Sequence, residues 1–322
     1  MIQYLLFSTS LILERTVSEG EKGHGWLLIV ATLVVLAAVA AWGFYFFKVA
    51  KEKGAKSVHL PRESATKPLT DLKVAPVPAR GGILVGNAQD IGRRKDQQDS
   101  FALAQTDGQS GLLALLADGM GGLSNGKAYS ELAVQAARDS FQKERPEKND
   151  ESTLLRILRR ARDAIADAGL SDGGTTFVAA LIRDQQLHFL SVGDSRICLM
   201  RNGGLIQLNR EHVYGRELDD LAANGLLDRE EAEQDVQRAA ITSYLGSGEE
   251  LRIDRNIEPV PLFSGDKVVL MSDGVFGYLP EEELTECLLK KPMKAAEAVR
   301  SAVLAQNHPH QDNMTIIILE IE

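Results

Sequence analysis

The sequence predicts an α+β domain carried behind one membrane-spanning helix, and three observations predict it. Eight short apolar runs of strand character fall after Gly81. Two helical stripes lie side by side among them, so strands and helices are segregated and do not alternate as βαβ units. Ahead of this body, Trp26–Phe47 is a run of 22 residues without a charge.

The elements follow in chain order. Residues 1–25 open on an apolar stretch, Met1–Leu13, which polar residues interrupt and which is too short to span a bilayer. Residues 26–47 match the hydrocarbon thickness as a helix at ~1.5 Å per residue. Trp26 at one end and Trp42 and Tyr45 at the other suit the interfaces. A core helix of this length would show a polar stripe, which this one lacks. Ala38-Val39-Ala40 resembles a cleavage site, but acidic Glu14, Glu19 and Glu21 precede it and the apolar run continues beyond it, so an uncleaved anchor is predicted. Lysines directly after the run place the following chain in the cytoplasm, giving a single-pass protein of the cell membrane. Residues 48–80 carry eight Lys/Arg against three acidic residues, net +5, with Pro61, Pro68, Pro76 and Pro78 and no hydrophobic period: an extended basic tether.

Within residues 81–322 the predicted strands are Ile83–Ala88, Phe101–Gln105, Leu112–Ala117, Thr175–Ile182, Leu187–Val192, Ile197–Arg201, Lys267–Met271 and Thr315–Ile321. One helix starts near Asn125 and runs to about Lys143 with Ala133, Ala137 and Phe141 in register. A second follows Asn149, with Leu154, Leu158, Ala161 and Ile165 on one face. Residues 208–253 are polar with a helical pattern and are predicted as an insertion or lid. Helices Glu281–Lys290 and Met293–Gln306 precede the last strand.

Composition excludes several classes of function. The chain has 322 residues, 44% hydrophobic and 25% charged, with a net charge of −9. Because residues 48–80 are basic, the body is strongly acidic, which argues against nucleic acid as partner. Cys198 and Cys287 are far apart and in no ligand spacing, so neither a zinc site nor a disulfide framework is predicted.

The chemistry is carried by aspartates. Leu112–Ala117 leads into Asp118-Gly119-Met120-Gly121-Gly122, Leu190–Gly193 into Asp194-Ser195-Arg196, and Val268–Ser272 into Asp273-Gly274. Strands that bring carboxylates to one sheet edge build an acidic pocket. Uncompensated, such carboxylates would protonate, so the pocket calls for divalent cations with oxygen ligands, Mg²⁺ or Mn²⁺. Asp99, after Gly92-Arg93-Arg94-Lys95, and Asp312, before Asn313-Met314-Thr315, join the set.

In order, Arg94…Asp99, Asp118-Gly119-Met120-Gly121-Gly122, Gly174-Thr175-Thr176, Gly193-Asp194-Ser195-Arg196, Ser272-Asp273-Gly274 and Asp312-Asn313 resemble the metal-dependent protein serine/threonine phosphatases of the PPM (type 2C) family in their bacterial form. The resemblance implies a four-layer α-β-β-α sandwich of two antiparallel sheets flanked by helices. It implies two or three Mn²⁺ or Mg²⁺ ions, with Asp118 bridging two of them and the Gly119 carbonyl, Asp273 and Asp312 as further ligands. Asp99 would act through metal-bound water, and Asp194 with Asp273 would hold a third ion. Arg94 stands where the family clamps phosphate, a task for which a forked guanidinium is well shaped. The implied reaction is hydrolysis of phosphoserine or phosphothreonine by a metal-bridged hydroxide, with Arg94, Asp118 and Asp273 at its centre. The implied partners are phosphorylated proteins, among them a membrane-associated serine/threonine kinase or its substrates. The chain departs from the family pattern at Gln97 and Gln98, where Asn and Glu are common, and Met120 stands where eukaryotic relatives carry a histidine.

Two other readings compete. Gly121–Ala128 nearly matches a P-loop, which would make an NTPase, but Ala128 replaces the required hydroxyl and four of the motif residues go unexplained. A catalytically inactive, membrane-tethered phosphoprotein-binding module would be expected to have lost a primary aspartate, and none is lost.

Overall fold

Strands of this chain that are apolar at every position are buried on both faces, and that builds a layered sandwich. The computed structural model describes residues 82–105, 111–121, 125–143, 149–248 and 250–322, all within a compact unit Ala75–Glu322. The segments 1–25, 26–47 and 48–80, with Gly81, lie outside the described residues. Among the described residues no helix is long and apolar enough to cross a membrane.

One sheet runs β1 (Ile83–Asp90), β12 (Met314–Ile321), β11 (Lys267–Met271), β7 (Arg196–Arg201), β8 (Gly204–Gln207). The other runs β10 (Val260–Pro261), β6 (Gln186–Val192), β5 (Phe177–Arg183), β3 (Leu112–Gly121), β2 (Asp99–Gln105). Two short strands complete it: β4 (Gly173–Thr175) on the end of β3 and β9 (Asp254–Arg255) on β6. The pairings are antiparallel throughout.

In β3, Leu113, Leu115 and Ala117 pack with the helices α1 (Asn125–Lys143) and α2 (Asp150–Asp167). Leu112, Ala114 and Leu116 alternate with them, point to the opposite face and are buried there as well, as a second layer requires. Helix α2 starts where Asn149 Oδ1 accepts from Ser152 N at 2.7 Å, and it buries Leu154, Ile157, Leu158, Ala161 and Ile165 along one stripe. On the far side, Leu284 and Leu288 with Ala295, Val299 and Val303 of two further helices cover Val269, Met271, Ile316 and Ile318.

Between β8 and β9 the segment predicted as a polar insertion of helical pattern holds two short helices. Helices α3 (Tyr214–Ala223) and α4 (Arg229–Gln234) are separated by Gly225, whose φ of +68° ends the first, and Asp228, which caps the second. The returning chain is stitched to the start of α3 by Tyr214 N to Ala240 O and Gly215 N to Arg238 O, both 2.8 Å. After β11 come a single turn, α5 (Asp273–Phe276), then α6 (Glu281–Leu288) and α7 (Pro292–Ala305).

Candidate metal centre

The predicted aspartates converge at one end of the sandwich. The β2–β3 register sets Asp99 directly opposite Asp118. Strand β3 does not end on Asp118, as the sequence suggested, but runs on to Gly121, because β4 supplies a second partner for Gly119–Gly121. Asp118 is fixed through its backbone: its N–H donates to Thr176 Oγ1, and its carbonyl accepts from Thr175 Oγ1 and Thr176 N, each at 2.9 Å. Thr176 Oγ1 in turn lies 2.8 Å from Ser195 Oγ, tying the Asp118 strand to the Asp194 turn.

Asp273 is the first residue of α5, and its carboxyl stands close enough to that of Asp118 for the two charges to oppose each other's ionisation. Two glycines allow this approach. A Cβ on Gly119 would fall 2.1 Å from Gly126 O, and one on Gly274 would fall 1.8 Å from Asn313 O. Asn313 itself pins the outer loop, donating to Ile91 O at 2.9 Å and accepting from Gln98 N at 2.8 Å. Asp312, one residue earlier, accepts from Arg94 Nη2 at 2.5 Å; this pair stands at the mouth, the side chains 54% (Arg94) and 25% (Asp312) exposed. Asp194 follows β6 in a turn that His212 braces, its Nδ1 accepting from Gly193 N at 3.1 Å.

The electrostatics follow from crowding. Burial first, then the charges of Asp99, Asp273, Asp194 and Asp312, hold the Asp118 carboxyl well above the usual carboxylate range. Burial pushes Asp99 up to about 6, against the hydrogen bonds from Thr315 and Ser272. Burial and then Asp273 push Asp194 up to about 7. Asp273 is raised by burial and then by Asp312. Such a cluster is costly to ionise unless a cation shares it.

These carboxylates do not form a ready-made three-ligand cage; among the described residues no group of three His, Cys, Asp or Glu side chains does. Two observations nevertheless fit a hard divalent cation. Asp99 Oδ1 and Asp273 Oδ1 are buried with no hydrogen-bond partner. The donors are all oxygens, the set that Mg²⁺ and Mn²⁺ prefer over softer metals.

Three contributors were not legible in the sequence. Ser272 Oγ and Thr315 Oγ1 both donate to Asp99 Oδ2, at 2.8 and 2.7 Å, and Gln89 Nε2 holds Thr315 Oγ1 at 3.0 Å and the Asp99 carbonyl at 3.1 Å. Their only sequence signal is that Ser272 and Thr315 flank Asp273 and Asp312. Arg196 stays out of the centre: it pairs with Glu211 at 2.5 Å and stacks 3.7 Å from the Phe276 ring centroid. The P-loop reading fails here, since Lys127 is exposed and pairs with Glu131 at 3.8 Å, and β3, the strand before α1, pairs antiparallel on both sides instead of standing in a parallel βαβ unit.

Comparison with known proteins shows the family and the fold. The protein phosphatase 2C family profile matches residues 88–308. The serine/threonine phosphatase stp of Listeria monocytogenes serotype 4b is 28% identical over 216 residues, covering 65% of this chain and 84% of the relative. The serine/threonine protein phosphatase PstP of Mycobacterium tuberculosis is 30% identical over 214 residues, covering 65% of this chain and 40% of PstP. Among solved structures, that of the M. tuberculosis phosphatase PstP/Ppp superposes with a TM-score of 0.62 at 27% identity, covering 74% of this chain and 99% of that one. The PstP catalytic domain in complex with two manganese ions gives 0.58 at 26% identity, with 74% and 98% covered.

Proposed function

Because the chain belongs to the protein phosphatase 2C family and is a metal-dependent protein serine/threonine phosphatase, we propose that Asp118, the Gly119 carbonyl, Asp273, Asp312 and Asp99 hold a binuclear Mn²⁺ or Mg²⁺ centre, with Asp194 and Asp273 serving a third ion. The observation that carries this reading is the crowding of four aspartates around Asp118, with the buried, unpartnered oxygens of Asp99 and Asp273. When bound, such ions polarise the phosphoryl oxygens and lower the pKa of water into the neutral range.

The chain's own residues do the rest. Asp118 and Asp273 present the charge that binds and orients the ions, and Thr175 and Thr176 keep Asp118 from shifting. Arg94 stands at the mouth with its guanidinium half exposed, so it turns from Asp312 to the equatorial oxygens of a phosphoryl group with little desolvation. Met120 offers no proton to the leaving seryl or threonyl oxygen. Neither cysteine is placed as a nucleophile: Cys198 and Cys287 are both buried in the core, and burial pushes the Cys198 thiol up to about 12.

The protein is also proposed to be anchored through residues 26–47, with its phosphatase domain in the cytoplasm. It would there act on phosphorylated proteins near the membrane, such as a serine/threonine kinase or that kinase's substrates. The support is the uncharged run Trp26–Phe47 and the lysines that follow it. Alkaline extraction of membranes checks the anchor: the full chain stays in the pellet, and recovery in the supernatant refutes it.

The test of the chemistry uses the full chain in detergent with a phosphothreonine peptide and p-nitrophenyl phosphate. Phosphate release is expected with Mn²⁺ or Mg²⁺, none with EDTA, and at least about a hundredfold less from Asp273→Asn, the loss that follows from several kcal/mol of charge stabilisation. A folded protein with no turnover at any metal level would instead be a tethered binding module.

A further inference from the structure

Resting on that phosphatase reading and going beyond it to the substrate class, we propose that Arg93, supported by Lys95, forms a second anion subsite beside Arg94. It takes a carboxylate or phosphate carried by a residue close to the phosphorylated Ser or Thr.

Three observations lead there. Arg93 is a cation without a carboxylate partner at the mouth of an acidic domain. Its Nη2 donates to Asn307 Oδ1 at 2.8 Å, a neutral group, and neither Arg93 nor Lys95 pairs with a carboxylate among the described residues. Arg94, by contrast, is held by Asp312. Both Arg93 and Lys95 are exposed.

The Arg93 side chain is also held in place. Its backbone N–H donates to Gln311 O at 2.9 Å, and Gly92, at φ +62°, is pressed so close that a Cβ would lie 2.2 Å from Asp312 O. Asn307 sits at φ +48°, a conformation that asparagine tolerates and that fixes where its amide can meet Arg93. A guanidinium already ordered loses less entropy on binding an anion.

The wall beside it is equally fixed. The His308 ring packs edge-on to Tyr278 at 5.0 Å, and Tyr278 Oη donates to His310 O at 2.8 Å. His308 Nδ1 accepts from His310 N at 3.2 Å, which leaves Nε2 as the donor of that ring. Arg93 and Arg94 have Cα atoms only about 3.8 Å apart, so an anion on Arg93 belongs to a residue within about three positions of the phosphoresidue in an extended peptide.

The experiment compares three phosphothreonine peptides of one length on the full chain in detergent with Mn²⁺. One has neutral flanks, one has aspartates two residues to either side, and one has a second phosphothreonine two residues away. The expected result is a kcat/KM about tenfold higher for at least one acidic peptide at low salt, shrinking as salt is added. Arg93→Gln brings that ratio to within about twofold while Arg93→Lys keeps part of it, since a charge remains but the fork is lost. A gain for the doubly phosphorylated peptide alone assigns phosphate; a gain for both assigns either anion. Equal kcat/KM for the three peptides, or a preference that survives Arg93→Gln, overturns the subsite. Loss of turnover on the neutral peptide and on p-nitrophenyl phosphate in the unsubstituted protein would overturn the phosphatase reading itself.

Discussion

Asp99 lies directly across from Asp118 in the β2–β3 ladder, a like-charge pair at a cross-strand position where like charges destabilise a sheet. The fold tolerates it because hydroxyls of Ser272 and Thr315 fix Asp99 from one side. On the other side the Asp118 backbone is clamped by two threonines. The pair is a strained element whose relief is a proton or a cation.

The pH dependence of stability follows from that strain. Asp99 at about 6 and Asp194 at about 7 are raised from 3.8, as is Asp118. A raised carboxyl pKa contributes stability that is fully present below about pH 4 and lost as pH rises through 6 to 7. The metal-free protein is therefore expected to melt lower at pH 8 than at pH 5, with Asp99 alone accounting for on the order of 1 kcal/mol over that window. Asp99→Asn should flatten the slope, and Mn²⁺ at pH 8 should raise the Tm. A melting temperature that rises from pH 5 to 8 without metal would contradict the clustering.

Removing the hydroxyls tests the support rather than the ligands. In Ser272→Ala and Thr315→Val the buried Asp99 carboxylate loses one donor each, and outer-shell losses of this kind cost about 10–100-fold in metal affinity. Calorimetric Mn²⁺ titration should show this weakening while kcat at saturating Mn²⁺ stays within a few-fold. An unchanged Kd in both variants would mean that Asp99 does not act at the metal centre.

How much of this was legible in the sequence depended on range. Lys267–Met271 was legible because Val268–Met271, buried on both faces, is an unbroken apolar run that starts after a charged residue and stops where Ser272 begins. Strands β8, β9 and β10, with two to four residues each, carry no period to read and exist because neighbours pair with them. The aspartates were visible because each sits in a short motif with glycine or asparagine. Ser272 and Thr315 were not read as partners of Asp99, since only the β11–β12 register, with Met271 against Ile316, brings them to it from more than 170 residues away. The helical pattern of residues 208–253 was legible, but not its division into two helices, since the polar pattern continues across Gly225 while the backbone there turns left-handed.

Arg94 separates substrate binding from metal binding. Its Nη2 already meets an oxyanion, that of Asp312, so the phosphoryl group competes for a guanidinium that is in place. Arg94→Lys keeps the charge and loses the fork, and is expected to lower kcat/KM for a phosphopeptide about tenfold, mainly through KM. The Mn²⁺ Kd should change by less than about threefold. A larger effect on Mn²⁺ than on KM would make Arg94 a support for Asp312 and not a phosphate clamp.

Gln98 offers the opposite experiment, a gain. Its backbone is fully engaged, with N–H to Asn313 Oδ1 at 2.8 Å and the carbonyl accepting from Gly119 N at 3.2 Å and Ser130 Oγ at 2.5 Å. Its side chain has no hydrogen-bond partner among the described residues, so a change there leaves the strand in place. Glutamate adds a negative charge next to Asp99, which costs stability in the metal-free protein and is recovered when cations bind. Gln98→Glu is therefore expected to lower the Mn²⁺ concentration giving half-maximal activity by several-fold, while the metal-free Tm at pH 8 falls by a few degrees. If the activating concentration does not move but the Tm falls, the added carboxylate points away from the ions, and Gln98 is a bystander of the centre.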